Sequence, residues 1–196
     1  MTAAKTLPPL NAQFLRSKHE AGLTYQDYLA TDSVKAEPWQ SIHEQVALSE
    51  DHRRLLDTFT RSMNVICVSG IWCGDCVQQG PLLQHIADAS PIINLRWLDR
   101  DEHSDLSEQI MINAGQRVPT VIFLAEDYEP VSILGDRSLT RYRAIAAKQL
   151  GASCPVPGAP VPDEELIDTL QDWLDEFERV QLLLRLSGRL RKLHQD

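Results

Sequence analysis

The chain is expected to fold as an α/β layered protein in which helices pack on a short sheet. Between residues 61 and 150, runs with strand and helix periodicity follow the order strand, helix, strand, helix, strand, strand, helix. A Cys-x-x-Cys pair falls where the first clear strand gives way to a helix, and helical patterns stand on both sides of this core.

Residues 10 to 62 read as helical. Phe14, Leu15, Tyr25, Tyr28 and Leu29 form a loose apolar set, and Ser49 precedes the amphipathic run "LSEDHRRLLDTFTRSM" as an N-cap with acids at 50 and 51. "NVICVSG" is a β-branched apolar run ending at Gly70, a buried strand. "CVQQGPLLQHIADAS" carries Val77, Leu82, Leu83 and Ile86 at near-helical spacing, with Pro81 as a kink. A second strand, "INLRWLD", precedes a helix around "SDLSEQIMINAG" that Gly115 should stop. "PTVIFLA" and "PVSILGD" flank polar "EDYE" as a hairpin ending at Gly135, and "SLTRYRAIAAKQLGA" gives a helix capped by Ser138 or Thr140. "CPVPGAPVP", residues 154 to 162, reads as an extended linker. From Asp163 to about His194 one long helix is expected, acidic at its start and basic at its end, as the helix dipole favours. The resulting division is a helical extension over 1–60, a core over 61–150, a linker over 151–162 and a final helix over 163–196.

A net charge of −9 over 196 residues argues against nucleic-acid and anionic-membrane partners, since phosphate binding needs a basic patch. The one dense basic run, "RLRKLH", completes the last helix and needs no ligand. The start holds no apolar leader and no stretch reaches the roughly 18 apolar residues of a membrane span, so a cytoplasmic protein is expected. Four unevenly placed cysteines suit a reducing compartment, where Cys-x-x-Cys is chemical rather than a structural staple.

Cys73 and Cys76 across the first turn of a helix bring their sulfurs close enough for a small disulfide. At the helix N-terminus the dipole and unpaired N–H groups favour a Cys73 thiolate, the attacking species in disulfide exchange, while Cys76 would resolve the mixed disulfide. Gly74 is expected to allow a tight bend between them. Zinc would need two more ligands, yet Cys67 lies in a strand, Cys154 in the linker, and the six histidines are scattered, so no metal is assigned. An inert structural pair is the other alternative.

"WCGDC" after a buried strand, Pro81 five residues beyond Cys76, and "RVPT" with Pro119 46 residues beyond Cys73 together resemble the thioredoxin family over roughly residues 61–150. The resemblance implies a thioredoxin-like three-layer sandwich with a central mixed sheet, here with N-terminal helices and a long C-terminal helix added. It implies that Trp72, Cys73, Gly74 and Cys76 form the W-C-G-x-C site, that Pro81 kinks the helix, and that the Val118–Pro119 bond is cis and lies against the sulfurs. It also implies that Val118 pairs with an extended substrate segment and that Gly135 lines the substrate groove. Three departures bear on chemistry. The buried acid usual six residues before the first cysteine is Cys67, the usual proline between the cysteines is Asp75, and the frequent lysine after the second is Val77. Asp75 should favour the helix start but oppose a nearby thiolate, keeping the Cys73 pKa nearer to the free-thiol value than to that of strongly oxidising relatives and the couple on the reducing side.

Cys67 reads as a small buried apolar residue or as a third thiol beneath the pair, and Cys154 as a free thiol. His85 reads as a packed or solvated side chain, and Trp72 as a shield and contact surface beside the exposed sulfur. In the last helix Leu166, Leu170, Trp173, Phe177, Val180 and Leu184 make a packing seam that shifts phase to Leu183, Leu186, Leu190 and Leu193. That seam docks on the chain's own core or supplies a homodimer interface. The expected activity is reduction of disulfide-containing protein substrates with the Cys73–Cys76 disulfide as redox centre, no organic cofactor, and electrons from an unidentified thiol or reductase. Oxidase, isomerase and helical-scaffold functions are the alternatives.

Overall fold

The computed structural model describes residues 7–150 and 165–196, and the expected linker and Cys154 lie outside them. Among the described residues four helices come first: α1 (Ala12–Ala21), α2 (Tyr25–Ala30), α3 (Ser33–Gln45) and α4 (Glu50–Asp57). Each begins on a polar side chain that satisfies an otherwise unpaired N–H: Asn11, Thr24, Asp32 and Ser49. Ser49 completes a reciprocal capping box with His52.

The core follows as β1 (Met63–Ser69), α5 (Gly74–Asp88), β2 (Ile93–Asp99), α6 (Ser104–Ser107), β3 (Thr120–Leu124), β4 (Pro130–Gly135) and α7 (Leu139–Leu150). The strands form one mixed sheet in the order β2-β1-β3-β4, with β1 and β2 parallel and both other pairings antiparallel. β1 is buried along its whole length, as its unbroken apolar pattern requires of a central strand. α5 runs through Pro81, and Ser138 is the residue that caps α7, its hydroxyl accepting from Arg141 N–H.

Two expected helices differ. The segment after β2 makes only the single turn of α6. Asn113 and Ala114 take left-handed backbone angles, and Ile112 pairs with Gly115 across that tight turn, which turns the chain back before a helix can propagate. The C-terminal helix is two helices, α8 (Glu165–Leu186) and α9 (Gly188–His194), parted at Ser187, whose hydroxyl caps the second. The break lies where the leucine pattern changes phase, and of the second stripe only Leu190 is buried, while Leu183, Leu186 and Leu193 stay exposed.

The core explains why the outer helices are integral. Tyr25, Tyr28, Trp39 and Trp97 interlock with ring centroids 5.5–6.3 Å apart, tying α2 and α3 to β2. Leu23 exchanges two backbone hydrogen bonds with Trp97 at 2.9 and 3.0 Å, so the chain between α1 and α2 lines the outer edge of β2 and protects it. On α8, Leu170, Trp173, Phe177, Val180 and Leu184 are buried within the chain itself, and Phe177 meets Phe123 of β3 edge to face at 5.0 Å. The first stripe of the expected seam is therefore buried in the chain's own core, while Leu183, Leu186 and Leu193 of the second are exposed.

Candidate active site

Strand β1 ends at Ser69, Gly70 turns the chain, and Cys73 becomes the N-cap of α5. The cap has no side-chain hydrogen bond of the usual kind. Instead, the Cys73 sulfur accepts from the backbone N–H groups of Asp75 and Cys76 and from the Cys76 thiol. That thiol is the strongest influence on Cys73; burial opposes ionisation, the two N–H groups favour it, and the Asp75 charge opposes it least. The result is a half-buried Cys73 with a pKa lowered to about 6.

Cys76 is held the other way. Burial raises its pKa, as do its hydrogen bond to Cys73 and the charges of Cys73 and Cys67. One sulfur is thus reachable and readily ionised, and the next is sealed and protonated. Cys67 is buried in β1 with its thiol pushed up by desolvation.

Asp75 opposes the Cys73 thiolate, as expected, but its charge is the smallest of the influences on that sulfur, and ion pairs surround its carboxylate. Arg137 Nη2 lies 2.6 Å and Arg141 Nε 3.0 Å from the Asp75 carboxylate, and their positive charges offset its repulsion of the thiolate. Cations reach this face from outside the motif. Arg100 covers the Trp72 ring at 4.7 Å, and the Cys73 thiolate in turn favours its charged form. Arg117 reaches Asp136 at 3.1 Å two residues before Pro119.

The structure brings the remaining expected residues together with altered roles for some. The Val118–Pro119 bond is cis, and the Cys73 thiol points at the Val118 carbonyl oxygen, 3.6 Å away. Trp72 is 48 % exposed, and its indole lies so close over Gly70 that a side chain there would collide with it. Gly135 presses against the Pro119 carbonyl, where a β-carbon would sit 2.6 Å from the oxygen, so close strand packing demands this glycine. Gly74 meets no such demand. It is the first residue of α5, with nothing within 4 Å of a β-carbon, so it leaves the approach to the sulfurs open rather than relieving a tight bend. His85 is packed: its ring stacks on His43 at 4.0 Å and bonds the His43 carbonyl.

Sequence reasoning missed the parts contributed by distant elements. Trp39 of α3 donates its indole N–H to the Ile71 carbonyl at 3.0 Å, fixing the loop that carries Trp72 and Cys73. Buried Gln79 accepts from Ser138 N–H and the Trp173 indole and donates to the Asp136 carbonyl, locking α5, the β4–α7 turn and α8 together. Arg100, Arg137 and Arg141 carry no local motif. Among the described residues no three histidine, cysteine or acidic side chains gather as a metal site would require.

A family model described as Thioredoxin matches residues 22–147. The chain belongs to the thioredoxin family. The match begins well before residue 61, so the family's pattern here takes in α2 to α4 as well as the sheet. A 1.5 Å crystal structure of a protein of unknown function from Pseudomonas aeruginosa superposes with a TM-score of 0.63 at 14 % identity, covering 83 % of this chain and 93 % of that one. An HIV epitope-scaffold gives 0.60 at 15 % identity, over 81 % and 96 %. These likenesses establish the fold. A search of curated proteins finds no match. Family membership carries a thioredoxin-type redox role in general terms, and among the described residues no helix is long and apolar enough to cross a membrane.

Proposed function

We propose that the chain reduces disulfide bonds in protein substrates by dithiol–disulfide exchange. The observation that carries this reading is the asymmetry of the pair: Cys73, half-buried at the N-cap of α5 with a pKa of about 6, and Cys76, buried one turn further in and held as a thiol. The Cys73 thiolate attacks one substrate sulfur, forms a mixed disulfide and releases the other as a thiolate. Cys76 then attacks Cys73 Sγ, closes the Cys73–Cys76 disulfide and releases the second substrate thiol. A small thiol or a reductase must return two electrons before the next cycle.

Trp72 and the cis Val118–Pro119 segment flank the attacking sulfur, so a substrate strand laid across Val118 would present its cysteine to Cys73. The test is reduction of insulin with dithiothreitol as electron source. Cys73→Ser is expected to reduce the rate to that of dithiothreitol alone, and Cys76→Ser to accumulate the mixed disulfide, visible by mass. Equal activity in the Cys73→Ser variant would overturn the reading.

A stabilised thiolate also stabilises the reduced form and so moves the couple toward the oxidising side of the original expectation. This favours oxidase or isomerase chemistry as the second reading.

A further inference from the structure

Resolution of the mixed disulfide requires Cys76 to give up a proton, and position 67, beside it, carries a thiol where the family resemblance implies an acid. The groups that bear most on Cys76 are Cys73, Cys67 and Ser69, none of them a carboxylate. Two hydroxyls occupy this space. Ser69, the last residue of β1, is wholly buried and lies two residues from Cys67 on the same face of the strand. Tyr28 of α2 is 1 % exposed and stacks at 5.6 Å on Trp97, the cross-strand partner of Cys67. Its hydroxyl lies beside Ser69 and within electrostatic reach of Cys76 and Cys67.

Neither Ser69 Oγ nor Tyr28 Oη has a hydrogen-bond partner of ordinary geometry, although both are sealed from water; Ser69 lies close enough to Tyr28 and to Cys76 to favour the charged form of each by a hydrogen bond. Buried hydroxyls are paired in nearly all proteins, so two orphans touching one reactive site need a reason. While Cys76 remains a neutral thiol it makes little use of them. A Cys76 thiolate, a buried anion surrounded by apolar side chains, would use both.

We propose that Ser69, positioned by Tyr28, is the hydrogen-bond donor that stabilises Cys76 as a thiolate in the resolving step, replacing the acid that position 67 lacks. The proposal rests on the redox reading above. In the step, the Cys76 S–H bond breaks, a sulfur–sulfur bond forms between Cys76 and Cys73, and the bond from Cys73 to the substrate breaks. The proton lost by Cys76 is balanced by the one gained by the departing substrate thiolate, so no further acid, base or oxidant is consumed. Ser69 only donates a hydrogen bond and keeps its proton throughout. The titratable groups facing the cluster are Cys73 from α5, Cys67 from β1, Tyr28 from α2 and, toward Tyr28, Asp99 from β2.

The experiment uses the reduced full-length chain carrying Cys154→Ser, mixed in stopped flow with 5,5′-dithiobis(2-nitrobenzoic acid). The first thionitrobenzoate released reports attack by Cys73, and the second, independent of probe concentration, reports resolution by Cys76. Ser69→Ala is expected to slow the second phase about tenfold near neutrality and to move its pH profile about one unit alkaline, leaving the first phase within about twofold of the parent. Tyr28→Phe should act in the same direction and less strongly. Because each substitution deletes an unpaired buried hydroxyl and keeps the packing, thermal midpoints should stay level or rise. Unchanged second phases in both variants overturn the proposal, as does equal slowing of both phases with a lowered midpoint, which marks a purely structural role. A parent with no second phase at all overturns the redox reading and this proposal together, whereas a normal parent with unaffected variants overturns this proposal alone.

Discussion

Cys73 sets the chemistry of the site. Its pKa falls from the ordinary thiol value of 9.0 to about 6 because the charged form is met by one thiol and two backbone donors. Alkylation by iodoacetamide should therefore rise with a midpoint near pH 6, and a midpoint above 8 would contradict the arrangement. The linkage has a definite sign. A depressed pKa means that the thiolate adds stability that is complete above the free-thiol value and is lost as pH falls through 6. The reduced protein should thus gain stability relative to Cys73→Ser as pH rises from 6 to 9, measured by urea denaturation at each pH. Arg100 acts more gently from the face of Trp72. Arg100→Gln should raise the alkylation midpoint by a few tenths of a unit, with the difference shrinking in high salt. The cysteines were legible as a pair at this scale, but the weight of Asp75 was not, since its two arginine partners lie more than 60 positions along the chain.

At the scale of elements, α5 is held from both sides. Gly80 faces Trp39 of α3 so closely that a β-carbon would come within 2.1 Å of the indole. Gly80→Ala must displace the ring or part the helices, and is expected to cost about 1–3 kcal/mol in chemical denaturation. Disturbing Trp39 would also weaken its bond to the Ile71 carbonyl, so the variant should lose disulfide-exchange rate along with stability. On the opposite side, truncating Phe177 of α8 removes the edge-to-face partner of Phe123. Phe177→Ala should destabilise by about 3–5 kcal/mol, a loss large enough to read directly from the denaturation midpoint.

For the whole molecule, the helices before and after the sheet are parts of one body. The aromatic cluster of Tyr25, Tyr28, Trp39 and Trp97 and the buried stripe of α8 share the core with β1 and β3. A buried Gln181 on α8 also satisfies backbone groups of Thr60 and Arg61 just ahead of β1. The property that belongs to this scale is the reduction potential of the Cys73–Cys76 couple, because it weighs the entire reduced protein against the oxidised one. With a thiolate more stable than first expected, a two-electron potential between about −270 and −180 mV is expected from equilibration in thiol–disulfide buffers. A value near or below about −230 mV supports the reductase; one above about −180 mV assigns the protein to oxidation or isomerisation.

The sequence by itself determined the α/β order, the strand limits, the cap at Ser49 and the position of the cysteines at a helix start. These follow from periodicity and local hydrogen bonding, which act between residues a few places apart. It also carried the warning that position 67 lacks an acid, without saying what stands in its place. Tertiary structure alone decided the rest. Only folding brings Arg137 and Arg141 onto Asp75, Arg100 over Trp72, and Tyr28 from the second helix down to Ser69 and Cys76. It likewise turned one expected helix into α8 and α9, since the core that buries Leu184 and Leu190 exists only once the sheet and helices are assembled. Local pattern states which residues are to be buried and leaves open which partner buries them, and the electrostatics of the site depend on that partner.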